Sequence, residues 1–273
     1  MIRNAVKLGL QTMRAALCRT PGVQALERTP GAGKLYRDLL WRRGGINQFW
    51  GVFDSQEEAL QAAPLGLRLD WDDAALHGFL RGQPSIAHSL RWIAQRAAPG
   101  SLVLDFGGQL GALFYAAQSE GLLPEQIHWL VVDVPTAVEK GRAQALHRGE
   151  RRLQFRADVP AGLAPDFVVA AGAVQYVFSD FASFLQALGT PPPAMLLNKL
   201  SLNASPSFWT LQNQGASVTP YRIYNETAYL AEVAAAGYEI RERWPVDEIA
   251  VDIPFRPDLR VPRLAGLMLE RRA

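Results

Sequence analysis

The sequence predicts an α/β fold built on a mostly parallel sheet of seven strands, covered by helices on both faces and preceded by a helical extension. Three observations predict it. From residue 99 onward, short apolar segments alternate with helical ones. Those segments are apolar on both faces, as strands buried between two helical layers must be. And the first of them ends in a carboxylate followed by glycines at the start of a helix, the arrangement in which an open α/β sheet receives a ligand.

The elements follow in order. Residues 44–98 read as helical with breaks at Gly44-Gly45, Pro64 and Pro84, and the clearest helix runs from Ser85 to Ala97 with Ile86, Leu90, Ile93 and Ala97 on one face. Pro99-Gly100 ends it. Strands are expected at 101–104, 129–132, 153–156, 167–170 and 195–197, with helices at 110–119, 136–147 and 180–188 between them. Pro191-Pro192-Pro193 is a short rigid connector from helix to strand. A helix at 226–236 and strands at 238–244 and 264–270 complete the seven.

Composition narrows the function. With 273 residues, 49% hydrophobic and 20% charged, the chain is of globular rather than disordered type. At this size about three quarters of the unfolded surface is buried on folding, so no staples are needed. One cysteine, Cys18, excludes an intramolecular disulfide and a multi-cysteine metal site, and the cytoplasm is the expected compartment. The histidines (His77, His88, His128, His147) are scattered, so no metal is expected.

Charge is divided unevenly. Residues 1–43 carry nine Lys/Arg against Glu27 and Asp38, a balance of +7, whereas the rest carries −5. The body therefore lacks the basic excess of a nucleic-acid binder. The basic end places Ile2, Val6, Met13 and Leu17 on one helical face and Arg3, Lys7 and Arg14 on another, an amphipathic arm. It suits a peripheral contact with anionic headgroups, such as the inner membrane face, or with an acidic partner; the alternative is a helix packed on the body with a solvated basic face. Neither a secretory core nor a membrane-spanning apolar window is present in the sequence, while an organellar transit peptide has a similar composition.

The chemistry gathers at Leu102-Val-Leu-Asp105-Phe106-Gly107-Gly108-Gln109-Leu110-Gly111. A dinucleotide pyrophosphate beside Asp105 would meet a carboxylate in a low-dielectric cleft and be repelled. S-adenosyl-L-methionine carries a sulfonium and an ammonium and no phosphate, so the same carboxylate attracts it. Asp133 ends the second strand 22 residues after Gly111, about where this architecture binds a ribose diol. Candidate cofactor residues are Asp105, Phe106, Gly107, Gly108, Gly111, Asp133, Val134, Asp158 after the third strand, and Gly172 after the fourth. N-capping, ion pairing or a turn are the structural alternatives for the acids.

Candidate catalytic residues are Gln175 and Tyr176, facing the acceptor at the mouth of the cleft, and His88, on the helix leading into the first strand, as a base. Tyr176 as a core aromatic and His88 as a satisfied structural histidine are the alternatives. From Phe181 to Tyr221, 41 positions hold one charged residue, Lys199, where a 20% average would give about eight. Within this run, residues 203–214 are uncharged but rich in hydrogen-bonding groups, which suits the wall of a pocket for a neutral polar acceptor, a homodimer interface or core.

At these residues the chain resembles a family of uncharacterised bacterial S-adenosylmethionine-dependent methyltransferases marked by a D-F-G-G-x-x-G turn, here Asp105 to Gly111. Further matching segments are Phe49 to Leu60, Trp129 to Pro135, Gly172 to Tyr176, Phe208 to Gln212 and Ala236 to Tyr238, so the resemblance spans about residues 44–245. It implies the Rossmann-like class I methyltransferase fold with an antiparallel last strand, and Asp105, Gly107, Gly111 and Asp133 as cofactor residues. Gln56 stands where a tryptophan is expected, and Gln109 replaces a glycine. Three divisions are expected: a basic arm at 1–43, a helical cap at 44–98 and the cofactor-binding domain at 99–273. The expected activity is methyl transfer to the oxygen or nitrogen of a small-molecule, glycan or lipid acceptor. The rivals are a nicotinamide-dependent oxidoreductase and a non-catalytic adenosyl-binding module docked through its basic end.

Overall fold

The computed structural model describes residues 12–27, 29, 31–41, 46–64, 84–215 and 217–272. They divide into two compact units: one drawn from Met1–Asp72, Ser201–Asn225 and Ile249–Arg263, the other from Asp73–Leu200, Glu226–Glu248 and Leu264–Ala273. This differs from the expected boundaries at 43 and 98. The physical reason is strand pairing: residues from before and after the first α/β crossovers are neighbours in one sheet.

In the first unit, helices α1 (residues 12–19), α2 (Gln24–Glu27) and α3 (Ala32–Tyr36) lead through a π-turn at Arg37–Trp41 into strand β1 (Gln48–Phe53) and helix α4 (Gln56–Ala62). Strand β1 corrects the all-helical reading of 44–98. Gln48, Phe49 and Trp50 sit opposite Asn213, Gln212 and Leu211 of β8 (Phe208–Asn213), which pairs antiparallel with β9 (Val218–Asn225), and β7 (Leu202–Asn203) closes the sheet order β1-β8-β9-β7. The uncharged stretch read as pocket wall, interface or core is therefore mostly sheet, and β8 is buried along its whole length. Two segments that carried the family resemblance, Phe49 onward and Phe208 to Gln212, are adjacent strands.

Aromatics hold this unit together. Tyr36, Trp41, Ala59, Trp209, Leu211, Val218 and Phe255 form one buried cluster, with Leu17 and Phe53 packed on it. The Trp41 indole donates to Gln48 O at 3.0 Å and the Asn213 amide donates to Trp41 O at 2.7 Å, so the turn before β1 is satisfied from both sides. From residue 12 the basic arm is anchored at a few residues: Cys18 is buried, Leu17 O accepts from the Phe255 N–H, and Arg19 pairs with Asp252, while Met13 of the apolar face is 51% exposed. Ile2, Arg3, Val6 and Lys7, like the Gly44-Gly45 break, lie outside the described residues.

In the second unit, helix α5 (Pro84–Arg96) precedes β2 (Leu102–Phe106), α6 (Ala112–Ser119), β3 (His128–Val132), α7 (Pro135–His147), β4 (Leu153–Arg156), β5 (Phe167–Ala171), α8 (Val174–Val177), α9 (Phe181–Leu188) and β6 (Ala194–Leu200). Helix α10 (Glu226–Ala235) and strands β10 (Tyr238–Val246) and β11 (Leu264–Arg271) follow. The strand order is β10-β11-β6-β5-β2-β3-β4, with β2 to β6 parallel and β11 antiparallel to both its neighbours. This is the expected seven-stranded, mostly parallel Rossmann-like sheet with an antiparallel last strand. The triple proline leads from α9 into β6, where Pro192 O accepts the Tyr238 hydroxyl and Pro193 O accepts the Arg271 N–H.

The chain leaves β2 for β3 and β4 on one side and returns to β5 and β6 on the other. The tips of β2 and β5 therefore flank the point where strand order reverses, and connections there diverge to opposite faces and leave a crevice.

Candidate functional site

At the tip of β2, Asp105 is 1% exposed. Trp129 on β3 donates its indole N–H to Asp105 Oδ2 at 3.2 Å, while Oδ1 is buried and, among the described residues, without a partner. Burial pushes the Asp105 carboxyl up to about 7, against the lowering effect of the Trp129 hydrogen bond and with the Asp133 charge adding to the rise. Such a carboxyl stays neutral more readily than a solvated one because its ion has lost water without gaining enough donors.

The glycines are required by the protein's own packing. A Cβ on Gly107 would come within 2.2 Å of the Ala173 methyl, one on Gly108 within 2.4 Å of the Asp105 carboxylate, and one on Gly111 within 2.6 Å of Leu153. Gly107 and Gly111 also take left-handed backbone, φ +70° and +81°, which glycine alone adopts without penalty. Gln109 shares that region at φ 55°. The loop thus lies directly on β5's exit and on the β2 carboxylate.

Asp133 clasps the loop. Its Oδ2 accepts the Gln109 N–H at 2.7 Å and its Oδ1 accepts the Val134 N–H at 2.7 Å. The Gly107 N–H goes to Val132 O, and the Gly111 and Ala112 N–H groups go to Gly108 O. Four loop donors that could bind a phosphate at the start of α6 are therefore committed inside the protein, one of them to a carboxylate. Val134, 40% exposed, stands beside Asp133 as an apolar surface.

Other expected residues are placed as follows. Phe106 packs on Phe178 and Phe184, ring centres 5.4 and 5.6 Å away. Asp158 is exposed and faces Arg156 at 3.4 Å. Gly172 is left-handed at the tip of β5, φ +86°. Gln175 is 2% exposed, so it is buried rather than at a mouth, and its Oε1 has no partner among the described residues. Tyr176 is half-buried at the next position. His88 lies against β10: its ring stacks on Trp244 with centres 5.2 Å apart, and its Nδ1 is 3.5 Å from the Glu242 carboxylate, which Arg91 and Trp92 also engage. His88 thus meets an indole and a carboxylate of β10.

Sequence reasoning missed a polar cluster at the tip of β6. Asn198 donates to Ser85 O and Ser89 Oγ of α5, and its Oδ1 accepts the N–H of Lys199, whose backbone is left-handed at φ 61°. Lys199 is 5% exposed and its chain covers Gly172. Glu248, just beyond β10, accepts the Ser85 N–H at 2.7 Å. The signal was the single charge in an uncharged stretch; its partners lay too far away in sequence to be seen.

The residues fit an adenosyl ligand with a cationic tail in kind. Asp133 is a carboxylate at the tip of β3, the kind of group that takes a ribose hydroxyl in this architecture. The unpartnered Asp105 oxygen beneath the loop adds negative potential, and Val134 offers a flat apolar contact. Among the described residues no group of three or more His, Cys, Asp or Glu is arranged to hold a metal ion.

No family model matches the chain, and no curated protein matches it. Solved structures do. The 1,6-didemethyltoxoflavin-N1-methyltransferase of Burkholderia thailandensis, bound to 1,6-didemethyltoxoflavin and S-adenosylhomocysteine, is 15% identical with a TM-score of 0.48, covering 70% of this chain and 80% of that one. The magnesium protoporphyrin IX methyltransferase of Synechocystis PCC 6803, bound to SAM, is 13% identical with a TM-score of 0.49, covering 69% and 78%. A SAM-dependent methyltransferase of Aquifex aeolicus is 14% identical with a TM-score of 0.45, covering 68% and 89%.

Proposed function

We propose that the protein is an S-adenosylmethionine-dependent methyltransferase acting on a polar acceptor. The observation that carries the reading is the Asp133 carboxylate bonded to the Gln109 N–H over the buried Asp105. In a dinucleotide site the loop N–H groups and the helix N-terminus hold the pyrophosphate. Here four of the loop donors are taken up within the protein and the Asp133 carboxylate stands among them, so an anion is disfavoured where a sulfonium with an ammonium is attracted. The nicotinamide reading loses its binding site by the same argument.

When bound, S-adenosylmethionine supplies an electrophilic methyl group on a positively charged sulfur. In this reading Asp133 holds the ribose diol, Val134 covers the base, and the Gly107 to Gly111 turn fixes the ligand relative to β5. The Gly172 to Tyr176 segment lines the acceptor side. Because the reaction consumes positive charge, the protein's main contribution is alignment of acceptor and methyl group. Acceptors without a formal charge, such as small hydroxylated molecules, glycans or lipid headgroups, suit the buried amide of Gln175. Docking of the basic arm on an anionic surface stays a separate proposal, carried by the +7 balance of residues 1–43.

Calorimetry tests the reading. Binding of S-adenosylmethionine and S-adenosylhomocysteine is expected, with no heat from NAD or NADP. Asp133→Asn keeps one acceptor oxygen but loses the charge and should weaken binding by about tenfold or more, roughly 1.4 kcal/mol. Binding of NADP with similar affinity, or an unaffected Asp133→Asn variant, would overturn it.

A further inference from the structure

The tips of β5 and β6 hold more buried polar chemistry than the fold needs. A Cβ built on Gly172 would lie 3.2 Å from Lys199 Cδ and 3.9 Å from Gln175 Nε2, so both side chains converge over one glycine. That glycine is followed by Ala173, whose methyl touches the Gly107 turn. Around them, Gln175 Oε1 and Glu248 Oε2 are buried with no hydrogen-bond partner among the described residues. Gln175 is 2% exposed. Unsatisfied buried groups cost stability, and a cluster of them beside an amine marks a place where a ligand completes the bonding.

The orphaned atoms specify the ligand. Gln175 Oε1 and Glu248 Oε2 can only accept, so the missing partner donates, as a hydroxyl does. An ammonium-bearing acceptor would meet the sulfonium, and a carboxylate would meet Glu248. We propose that Lys199, Gln175 and Glu248 form the subsite for a hydroxyl acceptor, and that the Lys199 amine takes up the hydroxyl proton during methyl transfer. The inference rests on the methyltransferase reading and names its acceptor class and its base.

The step balances. The acceptor oxygen forms the new C–O bond with a lone pair, the C–S bond breaks with its electrons left on sulfur, and the hydroxyl proton moves to the Lys199 lone pair. The resulting ammonium is stabilised by Glu248 and returns its proton to solvent. Lys199 suits the task because burial lowers its ammonium below the ordinary lysine range, with Glu248, the charged group facing it, opposing the shift. Burial also works against ionisation of Glu248, but the Ser85 donors and the Lys199 charge hold it below its usual value, so it remains an anion.

The chain has four lysines, Lys7, Lys34, Lys140 and Lys199, which makes the test direct. In the full chain labelled with 15N-lysine, the Nζ signals are followed by NMR in the S-adenosylhomocysteine and S-adenosylmethionine complexes from about pH 6 to about pH 9, where a lowered lysine titrates. Lys199 is assigned by its loss in Lys199→Arg, or by elimination with Lys7→Arg, Lys34→Arg and Lys140→Arg if that variant does not fold. The added positive charge on sulfur should move the Lys199 midpoint to lower pH than in the S-adenosylhomocysteine complex, and move no other lysine. A Lys199 signal that is the same in both complexes, or that stays protonated throughout, overturns the inference and leaves the methyltransferase reading standing. Absence of binding by either nucleoside defeats that reading first.

Discussion

Asp105 shows how one side chain can matter through its surroundings. With a folded-state value of about 7 against an ordinary 3.8, the native protein holds a proton there that the unfolded chain has already released. Between those values the folded state binds more protons, so the contribution of this group is fully present below about pH 4 and is lost as pH rises towards 7. Replacing Asp105 with Asn removes this slope while keeping an acceptor for the Trp129 indole. Melting temperatures measured across that range should flatten in Asp105→Asn, and an unchanged profile would mean that Asp105 is not the neutral group described. Asp105, Asp133 and the glycines were legible in the sequence as strand-tip chemistry. Their division of labour was not: Asp133 ties the loop by two backbone bonds, Asp105 lies under it, and each glycine answers to a named neighbour. Gln175 and His88 were legible only as residue types, because whether a polar side chain meets a cleft or a tryptophan depends on elements far away in the chain.

Helix α7 and strand β4 show the same dependence between elements. Gly141 sits within α7, where an alanine is ordinarily preferred by about 1 kcal/mol. A Cβ there would come within 2.3 Å of the Phe155 ring on β4, so packing reverses the sign. Gly141→Ala should destabilise by about 1–3 kcal/mol in denaturant unfolding, the usual cost of overfilling a packed contact. Phe155→Leu in the same chain should recover part of that loss, and additive effects of the two changes would argue against the contact. Strands β2 to β6 and helices α5, α6, α7, α9 and α10 were predicted to within a few residues because apolar runs broken by proline and glycine carry their own signal. Strand β1 was read as helix because Gln48–Phe53 is a half-buried strand whose partner lies some 160 residues later.

Across the whole molecule, the strand pairing sets what can be removed. If residues 1–43 and 44–98 were an arm and a cap, deleting them would leave an intact domain. Instead β1 covers the edge of β8, and Tyr36, Trp41 and Ala59 complete the cluster around Trp209 and Leu211. A chain beginning at residue 65 exposes an unpaired apolar strand edge, a template for association. It should aggregate or elute as large oligomers in size-exclusion chromatography; a soluble monomer with an unchanged melting temperature would refute this account of the first unit. Among the described residues no helix is long and apolar enough to cross a membrane.

The sequence by itself determined the alternation of strands and helices, the position of the glycine turn, and the two acids at neighbouring strand tips. These are local properties: periodicity, punctuation and charge at fixed spacing. Only the tertiary structure decided that residues 48–53 and 208–225 share a second sheet, that His88 stacks on Trp244, and that Lys199 and Gln175 converge over Gly172. Burial and contact between segments more than twenty residues apart depend on the whole fold, and no local pattern encodes them.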